Sequence, residues 1–380
     1  MHIALTGPVD LAPLRDAIGG SPPPVLRGPS TGHLARLWWR RGHQVTVVAL
    51  SDAVTERCAY DSGNGLRLVV VPQRSAGRAR DLFRHERRQL AAALRDERAD
   101  VISAHWTYEF ALGAIASGRP AFVTARDTPL RYAWEMRSAY RWARHSLAVP
   151  AVHRATALSA NSPYTAAHLR RCLGALRPIE MIPNGVDLTA LPNPAARTGG
   201  PVFAAALQGW GPLKNTTSLL RAFALVRRQV PEARLLLIGT DHEEGGPAHA
   251  WARTHGLDEA VEFVGRLPHA AALARLSAEA YALVHPSRVE SFSMICAEAM
   301  ALGLPVVAGR RSGAVPWVVG EAGLLTDIDR PERIARAMVL LARDEGLAVR
   351  LGAAGRRRVS AHFSLEATAG AYLDWFARHA

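Results

Sequence analysis

Two glutamates, Glu290 and Glu298, bracket the start of one helix in the stretch 285–309, HPSRVESFSMICAEAMALGLPVVAG. Residues 281–285 read as a buried strand, 286–292 as the loop leaving its carboxyl end, and 293–302 as a helix. Open α/β sheets bind ligands at that end of their strands. The first helical turn offers N–H groups without intrahelical partners and the positive end of the helix dipole, which suits a diphosphate. Glu290 stands in the loop, eight residues before Glu298, free to accept hydroxyl protons from a ligand. Glu298 shares a helix face with Met294 and Ile295, so its carboxylate needs a partner. A bland alternative stays open, in which Glu290 complements the dipole and Glu298 meets an arginine in the core.

A third charge belongs with this pair. Residues 208–215, QGWGPLKN, follow a strand, with Gly209 and Gly211 allowing close backbone approach to a ligand and Lys214 able to reach phosphates. Lys214 is the only lysine among 46 cationic residues. A compact ammonium acts as a point charge where arginine imposes a planar fork. The G-x-G-x-x-G pattern fails at its last position, which is Lys214, and no P-loop is present. Residues 265–267, GRL, end another strand; Arg266 and Leu267 would lie beside the Glu290 loop on the same sheet edge, where a nucleobase could sit, or form an ordinary turn. Residues 182–187, IPNGVD, read only as an Asn-Gly turn.

In the N-terminal half, Gly28 opens GPSTGH (28–33), a lead into a helix that could admit an acceptor or a phosphate. His105 and Trp106 end one strand, and Arg126 and Asp127 end another; all four would face a cleft, although such strand-end residues are often structural. No HExxH, GxSxG or Cys/His dyad spacing stands out.

The elements that must position these residues alternate along the chain. Strand-like runs at 2–5, 45–50, 66–71, 100–104, 121–124, 155–159 and 180–182 alternate with amphipathic helices such as 33–41, 79–98 and 163–173, implying a doubly wound domain over 1–188. A Pro, Gly and Asn-rich break at 184–200 reads as a linker. The alternation restarts with strands at 202–207, 234–238, 261–264, 281–285 and 305–308 and helices at 216–229, 248–256 and 270–280, giving a second Rossmann-like domain over 189–363. The final helices, 331–343, 348–361 and 365–379, have no strands between them, and the last (within 364–380) is expected to pack back on the first domain. The fold class is α/β, two Rossmann-like doubly wound domains facing a central cleft.

At 380 residues with 49 % hydrophobic content, the chain can build two cores. No apolar run reaches a membrane span and the N-terminus carries no basic leader, so a cytoplasmic location is expected. Cys58, Cys172 and Cys296 lack disulfide or zinc spacing. The net charge of +13 is uneven, with 25 arginines against 15 carboxylates in residues 1–188. Two basic stretches stand out, 74–88 and 131–144, and the second interleaves Tyr132, Trp134, Tyr140 and Trp142 with arginines. That pattern suits an anionic membrane surface or an acidic-acceptor groove, or else a solvated arginine face. No nucleic-acid motif accompanies the charge.

Together these residues resemble the retaining GT-B glycosyltransferases of family 4, over nearly the whole chain. The resemblance is carried by Arg41-Gly42-His43, by AHW at 104–106, PNGVD at 183–187, Lys214-Asn215, and PS-x-x-E-S-F ahead of EAMA-x-G-x-PVV, the last block being the most specific. It implies that Glu298 hydrogen-bonds the ribose of a nucleoside diphosphate sugar, UDP- or GDP-linked, and that Glu290 holds a donor-sugar hydroxyl. Lys214 and backbone N–H groups of Phe292, Ser293 and Met294 would neutralise the diphosphate, and backbone near Arg266 would meet the base. Gly209, Asn215, Leu267 and Gly28 complete the implied binding set, and His105, Arg126 and Asp127 join Glu290 and Lys214 as the implied catalytic set. No metal or other cofactor is implied, nor a protein nucleophile; the acceptor would be a hydroxyl of a glycan, glycolipid or natural product. The chain departs from the family where Gly209-Trp210 replaces an arginine and Arg126 replaces a histidine. A nucleotide-sugar epimerase and a catalytically impaired, nucleotide-binding partner subunit are the competing readings.

Overall fold

The computed structural model describes residues 1–28, 31–192 and 200–379, which form two compact units, Met1–Gly185 with Leu365–Ala380, and Val186–Ser364. Pro29 and Ser30 of the 28–33 segment, and 193–199 of the expected linker, lie outside the described residues. The chain changes unit at Gly185/Val186, short of the boundary expected after 188. Val186 already belongs to the second core, donating its N–H to Phe363 O at 2.8 Å and packing among that unit's apolar side chains.

The first unit holds β1 (His2–Thr6), β2 (Gln44–Ser51), β3 (Cys58–Asp61), β4 (Leu66–Pro72), β5 (Val101–His105), β6 (Ala121–Ala125), β7 (Ala157–Ala160) and β8 (Ile179–Met181), in the sheet order β3-β4-β2-β1-β5-β6-β7-β8. All pairs are parallel except β3 with β4. Helices α1 (Thr31–Arg40), α2 (Arg84–Asp96), α3 (Glu109–Ala116), α4 (Pro129–Met136), α5 (Ala139–Arg154) and α6 (Pro163–Leu173) connect them. Strands covered on both faces need continuous apolar runs, and β2, QVTVVALS, is buried at every position after its first. Edge strand β3, CAYD, was not anticipated; its alternate exposure and mixed polarity leave little signal.

The second unit holds β9 (Val202–Ala206), β10 (Arg234–Ile238), β11 (Val261–Gly265), β12 (Ala282–His285), β13 (Val306–Gly309) and β14 (Gly323–Thr326), all parallel in the order β11-β10-β9-β12-β13-β14. Its helices are α7 (Thr216–Arg227), α8 (Pro247–Thr254), α9 (His269–Glu279), α10 (Met294–Ala301), α11 (Val315–Val319), α12 (Pro331–Arg343) and α13 (Glu345–His362). The expected helix over 79–98 is broken: a 3-10 turn, Arg78–Asp81, precedes α2, with Leu82 and Phe83 both left-handed (φ 53° and 57°). Asp81 explains the break, since its carboxylate takes Arg74 and the Arg84 N–H and so stops the turn.

Helix α14 (Leu365–Ala377) returns to the first unit. Trp38 Nε1–H donates to Ala369 O at 3.1 Å, Tyr372 OH donates to Thr124 Oγ1 at 3.1 Å, and Trp375 packs edge-on against Phe122, ring centroids 5.0 Å apart. The crossing explains the Asn-Gly turn: a Cβ on Gly185 would lie 2.5 Å from Leu365 Cα. Gly185→Ala is therefore expected to destabilise the first unit by about 1–3 kcal/mol, as overpacking against backbone does, read as a lower denaturant midpoint with an unchanged slope.

Candidate active site

Buried strand β12 delivers His285 to its carboxyl end, and the following loop turns Glu290 back over it. Glu290 Oε1 accepts a hydrogen bond from Lys214 Nζ at 2.8 Å and lies 3.5 Å from His285 Nε2, its side chain 17 % exposed. The free loop carboxylate expected from the sequence is thus already paired. Its backbone is held too, because Ala314 N–H donates to Glu290 O at 2.9 Å. Burial opposes ionisation of Glu290, but the hydrogen bond from His285 and the charge of Lys214 outweigh it and hold the carboxyl at about 2.

Ser293 precedes α10 with φ 82°, a conformation costly for any residue with a Cβ. Its hydroxyl lies 3.2 Å from His285 Nε2 and caps none of the first-turn N–H groups. Those donors lack intrahelical acceptors by geometry. Phe292, expected among the binding residues, is 2 % exposed and packs its ring against Phe363 and Trp317, and Met294 packs on the same core. Phe292 has only its backbone left to meet a ligand, whereas Met294 is half-buried.

Lys214 rides on the loop between β9 and α7. Gly209 adopts φ 85°, and the next N–H, that of Trp210, donates to Asp241 Oδ2 at 2.9 Å. Asn215, expected to bind the ligand, is instead a brace: Nδ2 donates to Ile328 O at 2.8 Å, Oδ1 accepts from Ser218 Oγ at 2.7 Å, and its left-handed backbone starts α7. Arg288 ties this loop to the glutamate loop. Its N–H donates to Leu213 O at 2.8 Å, its guanidinium to Pro212 O, and Nε pairs with Asp329 at 2.7 Å. Neither Arg288 nor His285 carries a motif of its own; their only sequence signal is closeness to Glu290, Arg288 in the same loop and His285 at the end of the strand before it.

Glu298 is 5 % exposed on α10, and its partner is not an arginine but His269 at the start of α9, Nε2 to Oε1 3.1 Å. Arg266 and Leu267 do not lie beside the Glu290 loop on one edge as expected, because β10 and β9 stand between β11 and β12. The 266–268 turn reaches α10 through His269 and Glu298 instead. Arg266 is exposed, and Leu267 is partly buried against the core of this unit.

In the first unit, His105 is fully buried and cannot be the substrate-facing group expected. Its Nδ1 accepts from Arg126 Nε at 2.9 Å and its Nε2 meets Ser103 Oγ at 3.2 Å. Burial, then the Arg126 charge, pushes its pKa well below the ordinary value, so it is a neutral brace. Arg126 also donates to Asn184 Oδ1 at 2.6 Å. Asp127 Oδ2 accepts from Tyr108 OH at 2.6 Å, and burial raises its carboxyl above the ordinary range despite that bond. Gly28 has a packing reason of its own: a Cβ there would lie 2.6 Å from Pro8 Cβ.

The Glu290 pair carries a sign that can be measured. A folded value near 2 against an ordinary 4.5 means its stabilisation is complete above about pH 5 and is lost as pH falls toward 2. Glu290→Gln is expected to lower the denaturation midpoint above about pH 5 and to remove the loss between pH 5 and 2, so that the two curves converge at low pH.

Residues 201–344 match the family described as glycosyl transferases group 1, and residues 30–190 match glycosyltransferase family 4. A GDP-mannose-dependent alpha-(1-6)-phosphatidylinositol monomannoside mannosyltransferase of Mycobacterium tuberculosis is 31 % identical over 238 residues, 56 % of this chain and 60 % of that protein. A D-inositol 3-phosphate glycosyltransferase of Nocardioides is 35 % identical over 225 residues, 53 % of this chain and 48 % of that protein. The chain thus spans about half to three-fifths of the length of these relatives. Sucrose-phosphate synthase of Thermosynechococcus elongatus shares the fold at TM-score 0.79 and 20 % identity, over 99 % of this chain and 98 % of that one. Anabaena HepE in complex with UDP and glucose does so at TM-score 0.71 and 18 % identity, over the whole of both chains. With its two α/β units in the GT-B fold and both halves matched, the chain belongs to glycosyltransferase family 4.

Proposed function

We propose that this chain transfers a sugar from a nucleoside diphosphate sugar to a hydroxyl acceptor, with retention and without a metal. The carrying observation is the Lys214–Glu290 pair, 2.8 Å apart in the loops at the carboxyl ends of β9 and β12, with the first turn of α10 following Glu290. On binding, the diphosphate takes over Lys214 and the first-turn N–H groups, and Glu290 turns its carboxylate to a hydroxyl of the donor sugar. Glu298, with His269 beside it, accepts from the ribose. The acceptor oxygen then bonds the anomeric carbon on the face from which the diphosphate leaves, and its proton passes to the departing phosphate oxygen. The developing charge falls on the diphosphate, where Lys214 and the helix dipole act, so no protein nucleophile is needed.

Among donors, GDP-mannose is the first to test, because the mycobacterial relative is named as dependent on it; UDP-glucose follows. The acceptor is a hydroxyl on a glycan, glycolipid or natural product. The competing reading, a nucleotide-binding partner subunit, draws on Arg126, held by His105 and Asn184, and on Trp210 in place of an arginine. It requires calorimetric binding of nucleotide with no turnover on a broad acceptor panel.

Lys214→Ala and Glu290→Ala should each lower transfer by about 100-fold or more, with activity intact in EDTA. Full rate in both variants, or loss in EDTA, would sink the mechanism. Glu290→Gln separates the roles. It should bind the sugar-free nucleoside diphosphate about threefold or more tightly, since Lys214 loses its competitor, while transfer still falls.

A further inference from the structure

The two basic stretches, 74–88 and 131–144, meet in the first unit. The Phe83 ring packs edge-on against Tyr140, centroids 6.0 Å apart, and the Arg78 and Arg144 guanidinium groups each lie 5.9 Å from the Phe83 centroid. Arg144 turns inward, 6 % exposed over Tyr108, but the rest of this surface faces out. Five of the eleven large apolar side chains exposed among the described residues fall between 134 and 149: Trp134 (67 %), Met136, Tyr140, Trp142 (43 %) and Val149. Leu82, set outward by its left-handed backbone, adds a sixth beside them.

Core packing does not account for this cluster. Helix α5 already buries Leu147, Ala148, Ala151 and Val152, so Trp142 and Val149, seven residues apart on the same helix and 43 % and 36 % exposed, form a second apolar stripe that the core does not take up. The surrounding charge is one-sided. The two stretches carry ten arginines against three carboxylates, and those three, Asp81, Glu86 and Glu135, already pair with Arg74 and Arg131. Exposed tryptophan and tyrosine amid unmatched arginine suit the boundary between lipid headgroups and acyl chains, where indole and phenol rings sit and anionic phosphates draw guanidinium groups. No helix among the described residues is long and apolar enough to cross a membrane, so this contact lies flat on the surface.

We propose that the outward face of α4 and α5, with the adjoining turn at 78–82, docks on an anionic lipid bilayer. The inference does not depend on the transferase reading, and binding is measured without turnover. The full chain is floated with vesicles of phosphatidylcholine, with and without phosphatidylglycerol, at low and high salt. Binding should require the anionic lipid and weaken about tenfold or more at high salt. Trp134→Ser/Trp142→Ser and Arg137→Glu/Arg141→Glu should each weaken it about tenfold or more with unchanged melting temperature. Leu176→Ser, at a 92 % exposed position of the same unit outside the patch, should bind as the unaltered chain does. No flotation, equal flotation with neutral vesicles, or patch variants that float normally would overturn the proposal. So would self-association in solution that the tryptophan substitutions abolish while flotation is absent, which would make the patch a protein interface.

Discussion

A carboxylate drawn partly out of water must find a cation, and the loop after β12 places Glu290 where the only available ammonium is Lys214. Removing one partner from a buried pair costs about 3–5 kcal/mol, less where solvent still reaches it, as here. That requirement joins two loops from separate strands. Arg288 reinforces the joint through Leu213, Pro212 and Asp329, and Asn215 fixes the lysine loop to Ile328. The strained Ser293 backbone then begins α10 directly beyond the pair. Lone charges, loop order and a helix N-terminus are thereby arranged before any ligand arrives, which is the electrostatic preorganisation that diphosphate departure calls for.

Function follows from the pair's being exchangeable. Lys214 and Glu290 keep side-chain exposures of 27 % and 17 %, enough for an anion to reach the ammonium. A diphosphate carries more charge than one carboxylate and also meets the first-turn N–H groups of α10, so it competes well for Lys214. Glu298 and His269 form a separate pair that joins α10 to the start of α9, just after the turn that follows β11. The two carboxylates therefore have different neighbours and different partners to give up.

Much of this was legible in sequence. Continuous apolar runs such as β2 and β12 announce buried parallel strands, and the spacing of Glu290 and Glu298 separates loop from helix. What escaped notice depends on contacts between distant segments. Edge strands β3 and β14 carry weak patterns because their residues are only partly buried. Asn215 and His105 have residue types suited to ligand binding, yet Ile328, Ser218, Arg126 and Ser103 occupy their polar atoms, and none of those partners is near in sequence apart from Ser218 and Ser103. His269 could not be matched to Glu298, since strand order decides where α9 lies.

The central claim is that Lys214 trades Glu290 for a diphosphate, and the chain's single lysine makes that visible directly. Protein labelled with carbon-13 only in lysine gives one Cε signal, to be followed by NMR as nucleoside diphosphate is added. The exchange predicts that this signal moves on saturation with nucleotide, and that in Glu290→Gln its starting position differs from that of the unaltered chain. A Cε signal that stays in place while calorimetry shows the nucleotide bound would contradict it.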